Sequence, residues 1–285
     1  MSDTLTRECP AKVNLLLRVL GREVDGYHSI ETVFCRAGLS DTLVVTRTER
    51  SIALDVSGAQ VGPPEENLAW RAADAVLAAT GRRFGVAMHL TKRIPAGGGL
   101  GGGSSDAAQA LLAVNQLAGN AVPLSELLHM ATRLGADVPY FVSGAPLALG
   151  WGHGDRLLSL PALPPMPALL LVPDVAIPTG DAYAWVDEVR AGSSPRGSVT
   201  LDGSVLGNWS DLARMSGNDF ESAVFGRFPA LRAGFEALAL SRPFFVRMSG
   251  SGSTLFAVYR NPRDRDDAQA MLGSKFGRLV PTTLG

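Results

Sequence analysis

Apolar and polar positions follow two different periods along this chain, and the changes of period lay out its elements. Lys12–Val19, Ile30–Arg36 and Asp41–Thr48 are rich in Val, Leu, Thr and Phe with turn residues between them, which predicts three strands. Asn67–Thr80 has alanine-rich helical spacing and stops at Gly81, and Val86–Thr91 returns to a strand pattern. From about Ser105 to Ala118, the apolar residues Ala107, Ala108, Leu111, Leu112, Val114 and Leu117 leave little polar surface, so a central buried helix is predicted. Ser125–Leu134 reads as a further helix, with Ser125 as N-cap and Gly135 just past its end. Beyond it come a strand at Ala168–Val172, a helix at Gly180–Arg190 and an exposed Gly/Ser-rich loop at Ala191–Ser204. A helix at Pro229–Leu240, strands at Phe244–Met248 and Thr254–Tyr259, and a helix at Arg263–Phe276 complete the pattern.

Strands and helices mix without strict alternation, which predicts an α+β protein rather than a doubly wound sheet. Leu160–Pro167 holds four prolines in eight residues, and a domain boundary is expected there, giving domains 1–160 and 161–285. The net charge of −1 lacks the basic surplus of a duplex-binding protein, so no nucleic-acid partner is expected. The most apolar run, Ala168–Val172, is far too short to span a bilayer, so no membrane association is expected. The opening residues Met1–Glu8 are polar and mixed in charge, unlike a secretory signal. Two cysteines, Cys9 and Cys35, lack metal-site spacing and fit buried small hydrophobes in a reducing, cytoplasmic setting.

Glycine changes this picture. Thirty-two glycines in 285 residues exceed the usual share of about 7%, and they are clustered. Pro95-Ala96-Gly97-Gly98-Gly99-Leu100-Gly101-Gly102-Gly103-Ser104-Ser105 places six glycines between a predicted strand and a predicted helix. Bare backbone there lets successive N–H groups surround an anion, and the helix start adds further donors and its positive dipole end. Ser104 and Ser105 add hydroxyls. These features together predict a polyphosphate site. It is not a P-loop, because no Gly-Lys pair occurs in the chain. A dinucleotide fingerprint forced through Gly97, Gly99 and Gly102 lacks the strand-end acid expected about 20 residues on.

The stretch Gly97–Ala108 resembles the phosphate-binding motif of the GHMP kinases (galactokinase, homoserine kinase, mevalonate kinase and relatives). Further segments resemble that family in matching order from Pro10 to Tyr259. The resemblance implies a two-domain α+β fold with an active-site cleft between the domains. It implies ATP and Mg2+ as cofactors, with the nucleotide held by Pro95–Ser105 and by Asn67, and magnesium ligands unidentified. Pro10-Ala11-Lys12-Val13-Asn14-Leu15 is similar to its first motif, in which the lysine and asparagine line the active site. From the residues alone, Lys12 suits stabilisation of a transferred phosphoryl group and equally suits an exposed strand end. Gly135-Ala136-Asp137-Val138-Pro139 is similar to the segment carrying the family's catalytic aspartate. In isolation Asp137 fits either a general base aimed by a rigid loop, with Val138 extended before Pro139, or an Asx-turn.

Asp25-Gly26-Tyr27-His28-Ser29 and Ile177–Tyr183 resemble the segments that contact a cytosine in one branch of the family. They imply that Tyr27, His28 and Tyr183 bind a cytidine diphosphate-linked sugar alcohol as the small-molecule substrate, although Tyr183 also fits simple helix packing. Met248–Thr254 is similar to the third family motif and brings Gly250 and Ser251 to the substrate. A hairpin turn is the plainer reading of the same residues. Asn218-Asp219-Phe220-Glu221 also matches the family pattern. His89 and His129 are read as structural. Gly150–Asp155, with His153, departs from the arginine-glycine pattern of many relatives, and no role is predicted for it. The alternatives to this kinase are another family member of homoserine kinase type and a non-catalytic nucleotide-binding regulator.

Overall fold

A computed structural model of the chain describes residues 3–24, 26–59, 62–191 and 202–285. It opens with two long strands, β1 (Thr4–Arg22) and β2 (His28–Thr48), succeeded by β3 (Ile52–Ser57), α1 (Leu68–Ala79) and β4 (Gly85–Thr91). Then come α2 (Gly102–Leu117), α3 (Leu124–Leu134), α4 (Val138–Ser143), β5 (Leu147–Gly152), β6 (Arg156–Leu160) and β7 (Met166–Val172). The remainder comprises α5 (Thr179–Arg190), α6 (Gly203–Leu206), α7 (Trp209–Met215), β8 (Gly217–Asn218), α8 (Phe220–Arg227) and α9 (Pro229–Leu240). β9 (Phe245–Met248), β10 (Leu255–Val258), α10 (Pro262–Leu272) and β11 (Arg278–Leu284) complete the chain.

These elements form two compact units whose segments interleave along the chain. The first takes Met1–Ala11, Leu39–Ala96 and Gly101–Gly144. In it β4 lies parallel to β3, with Val86 opposite Ile52, and antiparallel to the far half of β2, with Thr91 opposite Thr42. Helices α1 and α2 pack on each other, and Ala69, Ala72 and Ala73 of the first and Ala107, Ala110 and Ala113 of the second are all fully buried. Small side chains let two helix backbones approach closely, which explains the alanine-rich periodicity of both.

The second unit takes Lys12–Gly38, Gly97–Leu100 and Ala145–Gly285. Its antiparallel sheet runs β11–β7–β10–β9, with Leu171 facing Leu279 on one side and Leu255 on the other. The near half of β2 pairs with β5, and β1 pairs parallel to the two-residue β8. Helices α5, α8, α9 and α10 cover a core that includes Leu169, Leu171, Leu231, Leu238, Met248 and Leu255. Among the described residues no helix is long and apolar enough to cross a membrane.

Several elements differ from the sequence reading. Ile30–Arg36 and Asp41–Thr48 are parts of one strand, because Gly38 is not a turn. A Cβ there would lie 2.7 Å from Thr283 Oγ1, beside the pairing of Ala37 with Leu284. The glycine marks a close backbone approach within a strand. Ser125 is not the N-cap of α3. Extended Pro123 (φ −68°, ψ 155°) starts that helix and leaves Ser125 inside its first turn. Helix α2 begins at Gly102 rather than Ser105, because left-handed Gly101 turns the chain into it. Val138 is helical, not extended, since Pro139 occupies the first turn of α4, where a missing N–H costs nothing. The last helix stops at Leu272, ended by Gly273 at φ 52°. Of the expected loop Ala191–Ser204, residues 192–201 lie outside the described residues, as does Asp25. The short strands β3, β5, β6 and β8 had no clear period in sequence.

Cys9 and Cys35 are both fully buried, as expected of small hydrophobes. Burial pushes the Cys35 thiol up to about 12. Burial and then the nearby carboxylates of Asp106 and Asp41 hold Cys9 far above the ordinary thiol range. Neither thiol is therefore expected to react with a thiol-specific reagent in the native protein at mildly alkaline pH. Both should react after denaturation, and rapid labelling of native protein would contradict the packing described.

Candidate active site

The glycine segment owes its shape to alternating backbone handedness. Gly97, Gly99 and Gly101 have φ of 69°, 76° and 71°, whereas Gly98 and Leu100 between them are not left-handed. Alternation of this kind turns successive N–H groups toward one point and makes an anion-binding concavity. Leu100 is buried and anchors the segment, and its carbonyl accepts the Lys12 N–H at 2.9 Å. Gly97 has open space where a Cβ would stand, so its backbone is accessible to a ligand.

Gly99 serves another purpose. A Cβ there would run into the Ser249 carbonyl oxygen and lie 3.2 Å from the Gly252 oxygen. The Ser249 hydroxyl donates to the Gly99 carbonyl at 2.9 Å, and the Thr254 N–H donates to the Gly98 carbonyl. Gly250 completes the contact, since a Cβ on it would stand 3.2 Å from Gly99 Cα and 3.6 Å from Lys12 Nζ. Met248–Thr254, expected to join two strands, does so between β9 and β10 and lies against the phosphate segment. Ser251 is also buried there, its hydroxyl 3.1 Å from that of Thr179.

Lys12 is 3% exposed and not a loose strand-end cation. Its Nζ donates to Asn14 Oδ1 at 2.7 Å, Asn14 Nδ2 donates to Thr32 Oγ1, and the Thr32 hydroxyl donates to the Leu16 carbonyl. Nζ also stands 5.5 Å from the Phe34 ring centre. A buried ammonium in such a chain keeps one direction.

In the first unit, α2 presents the N–H groups of its first turn, which have no partner within a helix. Ser105 is fully buried, and among the described residues its hydroxyl has no hydrogen-bond partner. Asp106 is equally buried, and one of its two oxygens is taken: Lys92 Nζ donates to Oδ2 at 2.6 Å. Lys92 also pairs with Asp41, whose other oxygen accepts the backbone N–H groups of Arg93 and Ile94. Burial pushes the Asp106 carboxyl up to about 7 despite the opposing pull of Lys92. Burial would lower Lys92, but the two carboxylates outweigh it and raise it. Asp137 stands half-buried at the start of α4 and makes no side-chain cap to that helix, so no Asx-type cap forms. Gly135, two residues before it, lies beside Ser104, whose hydroxyl would be 3.9 Å from a Cβ there. Asn67 caps α1, its Oδ1 accepting the Ala69 N–H at 2.9 Å.

The aromatic residues expected to hold a base lie in the second unit. Tyr27 is 66% exposed, with its ring 5.1 Å from His153. His28 stacks on Tyr183 at 4.6 Å and bonds through Nε2 to both oxygens of Asp187, at 2.9 and 3.0 Å. Tyr183 thus both packs edge-on against Phe220 of α8 and supports the imidazole. A cavity of about 770 Å³ lies beside them, lined by His28, Asp187, Arg190, Asp219 and Arg247 among others.

Sequence reading missed Lys92, Asp41 and Asp187, which carry no local signature. It gave Asn218–Glu221 no role, yet that segment rivets the unit together. Asn218 Nδ2 donates to the carbonyls of Met248 and Gly250 at 2.8 and 2.7 Å, and Glu221 accepts the Met248 N–H. Asp219 accepts the Val19 N–H of β1 and pairs with Arg190.

Comparison with known proteins places this geometry in a family. The model of the GHMP kinases N terminal domain matches residues 67–145, and that of the GHMP kinases C terminal domain matches 201–278. A 4-diphosphocytidyl-2-C-methyl-D-erythritol kinase from Geobacter metallireducens is 36% identical over 278 residues, covering 95% of each chain. A crystal structure of 4-(cytidine 5'-diphospho)-2C-methyl-D-erythritol kinase is similar with a TM-score of 0.84 and 38% identity, covering 99% of both chains. A homoserine kinase from Cytophaga hutchinsonii shares the fold alone, at a TM-score of 0.72 and 18% identity over 100% of this chain and 96% of that one.

Two substitutions separate the roles of the glycines. Gly97→Ala meets open space and should cost only the left-handed strain, about 1–2 kcal/mol. Gly99→Ala adds a collision with the Ser249 backbone and should lower the urea midpoint clearly further. Equal midpoints would contradict the contact. Asp106 offers a test by pH. Its folded-state proton affinity is raised, so its contribution to stability is full below the ordinary carboxylate range, about pH 4, and is lost as pH rises through about 7. Asp106→Asn should flatten the pH dependence of the urea midpoint over that window.

Proposed function

Since the chain belongs to the GHMP kinase family and is a small-molecule kinase, we propose that it transfers the γ-phosphoryl group of ATP to a hydroxyl of 4-diphosphocytidyl-2-C-methyl-D-erythritol, a step in isoprenoid precursor synthesis. The observation that carries the reading is the left-handed alternation at Gly97, Gly99 and Gly101 leading into α2. It supplies converging N–H donors for phosphates without a P-loop lysine. The names of the relatives support the cytidylyl acceptor, and the supported imidazole of His28 beside exposed Tyr27 suits a flat, hydrogen-bonding base.

In this reading Pro95–Ser105 hold the nucleotide phosphates, and Asn67 stands at the nucleotide. Asp137 accepts the acceptor hydroxyl proton as the oxygen forms its bond to the γ-phosphorus, and the bond from that phosphorus to the ADP oxygen breaks. Lys12, aimed by Asn14, stabilises charge on the transferred group. Tyr27, His28 and Tyr183 take the cytosine end, with Gly250 and Ser251 beside the substrate. Among the described residues no group of three acidic, His or Cys side chains could hold a metal ion. Ser105, whose buried hydroxyl has no hydrogen-bond partner among the described residues, would be the side chain offered to a magnesium ion on the nucleotide phosphates. Such an ion would neutralise phosphate charge.

ADP release measured with the cytidylyl alcohol and, in parallel, with homoserine tests the assignment, and release with the first alone is expected. Asp137→Asn and Lys12→Ala should each lower turnover by about 100-fold or more while ATP binding measured by calorimetry stays largely intact. Near-normal turnover in either variant would sink the role assigned to that residue.

A further inference from the structure

The buried ion triplet Lys92–Asp41–Asp106 stands at the two stems of the glycine segment. Lys92 directly succeeds β4 and leads into the segment, and Asp106 lies in α2, which leaves it. The two are 14 positions apart in sequence and 2.6 Å apart across Nζ and Oδ2. Asp41 has no exposed surface and holds the entering stem twice more, through the N–H groups of Arg93 and Ile94. The first residue of α2 rests on the same stem. A Cβ on Gly102 would lie 3.0 Å from Ile94 Cγ2 and 3.3 Å from Lys92 Nζ. One carboxylate on β2 thus fixes where the glycine segment begins, and one ammonium ties that point to where it ends.

We propose that Lys92, held by Asp41 and Asp106, is a positioning residue for nucleotide binding that closes the base of the phosphate segment. This rests on the reading of that segment as the ATP site. Closing both ends of a glycine-rich stretch removes freedom that its ligand would otherwise have to freeze out on binding. None of the three side chains needs to touch the nucleotide. The directional ammonium–carboxylate bonds set the geometry, so a packed apolar pair in their place does not substitute for them.

A merely structural triplet would shift stability and leave the kinetic constants alone, so the test separates the two. Lys92→Met leaves two buried carboxylates without their cation and is expected to unfold easily. The double variant Lys92→Met/Asp106→Leu replaces one ion pair with apolar side chains, a change that buried pairs often tolerate in stability, and leaves Asp41 accepting the Arg93 and Ile94 N–H groups. In the folded double variant the Kd for ATP, measured by calorimetry without acceptor, should rise tenfold or more. The acceptor KM measured at saturating ATP should stay within twofold. Lys92→Arg, which keeps the cation, should recover part of the ATP affinity. An unchanged Kd for ATP in the folded double variant would overturn the proposal, as would an equal rise in both constants. Absence of turnover by the wild type with the cytidylyl alcohol would instead sink the substrate assignment and leave the clamp standing, because the clamp is read from ATP binding alone.

Discussion

Two glycine-rich segments of the second unit, Gly97–Leu100 and Met248–Thr254, meet backbone against backbone, with no room for a side chain at Gly99. That contact fixes far more than its own atoms. Met248 is held on its N–H by Glu221 and on its carbonyl by Asn218, and the same Asn218 reaches Gly250. Asp219, the residue after Asn218, grips β1 at Val19. Further back on β1, the Lys12 N–H holds Leu100 of the glycine segment. The cation assigned to the transferred phosphoryl group and the amides assigned to its phosphates are therefore parts of one hydrogen-bonded circuit. Residues more than two hundred positions apart have to fold together before either is in place.

The circuit is polar and largely buried, which decides its energetics. A neutral buried group that loses its partner costs about 1–3 kcal/mol, and breaking a buried ion pair costs about 3–5 kcal/mol. Apolar packing of equal volume would often be as stable or more so. Asn14 and Thr32, serving Lys12, and Asp41, serving Lys92, are thus poor choices for stability alone. What they provide is direction: an ammonium in a three-member chain has one favourable orientation, whereas a hydrophobic side chain in the same volume has several. The same logic applies to Asp106, which adjoins the glycines and whose Oδ2 is directed by Lys92.

How far the sequence revealed this depends on the range of each interaction. The helices with long, regular apolar faces, α1, α2 and α9, were legible because their burial repeats every turn. The glycine cluster was legible as special backbone because side chains exclude such conformations and close approaches, but the left-handed alternation itself was not. Gly38 was misread as a turn because a glycine needed for close approach looks the same in sequence as one needed for reversal. Val138 was expected to be extended, because a proline opening a helix and a proline ending a strand restrict their neighbours in ways that one residue type cannot distinguish. Lys92, Asp41 and Asp187 were invisible for another reason. Each gains its meaning from a partner brought near by tertiary folding, and one lysine or aspartate carries no trace of such a partner. Asn218–Glu221 was noticed only as a pattern, and the hydrogen bonds that explain it reach to Val19 and Met248.

The two ends of the proposed substrate site are built from different materials, and the difference has a physical reason. Phosphate groups present the same oxygens whatever they are attached to, so backbone N–H groups at bare glycines recognise them and side chains would only obstruct. A base presents a flat face and an edge of particular donors and acceptors, which backbone amides cannot match alone. That end uses side chains: Tyr27 exposed beside His153, and His28 held flat on Tyr183 with its Nε2 fixed by Asp187. The carboxylate at Nε2 and the stack on Tyr183 together fix the plane and the edge of the ring, so the orientation of the imidazole is a property of the His28–Asp187 pair rather than of the histidine alone. On the proposed assignment, backbone recognition at one end and paired side chains at the other would let a single scaffold keep its phosphate chemistry while a few residues such as His28 on β2 and Tyr183 and Asp187 on α5 set the acceptor.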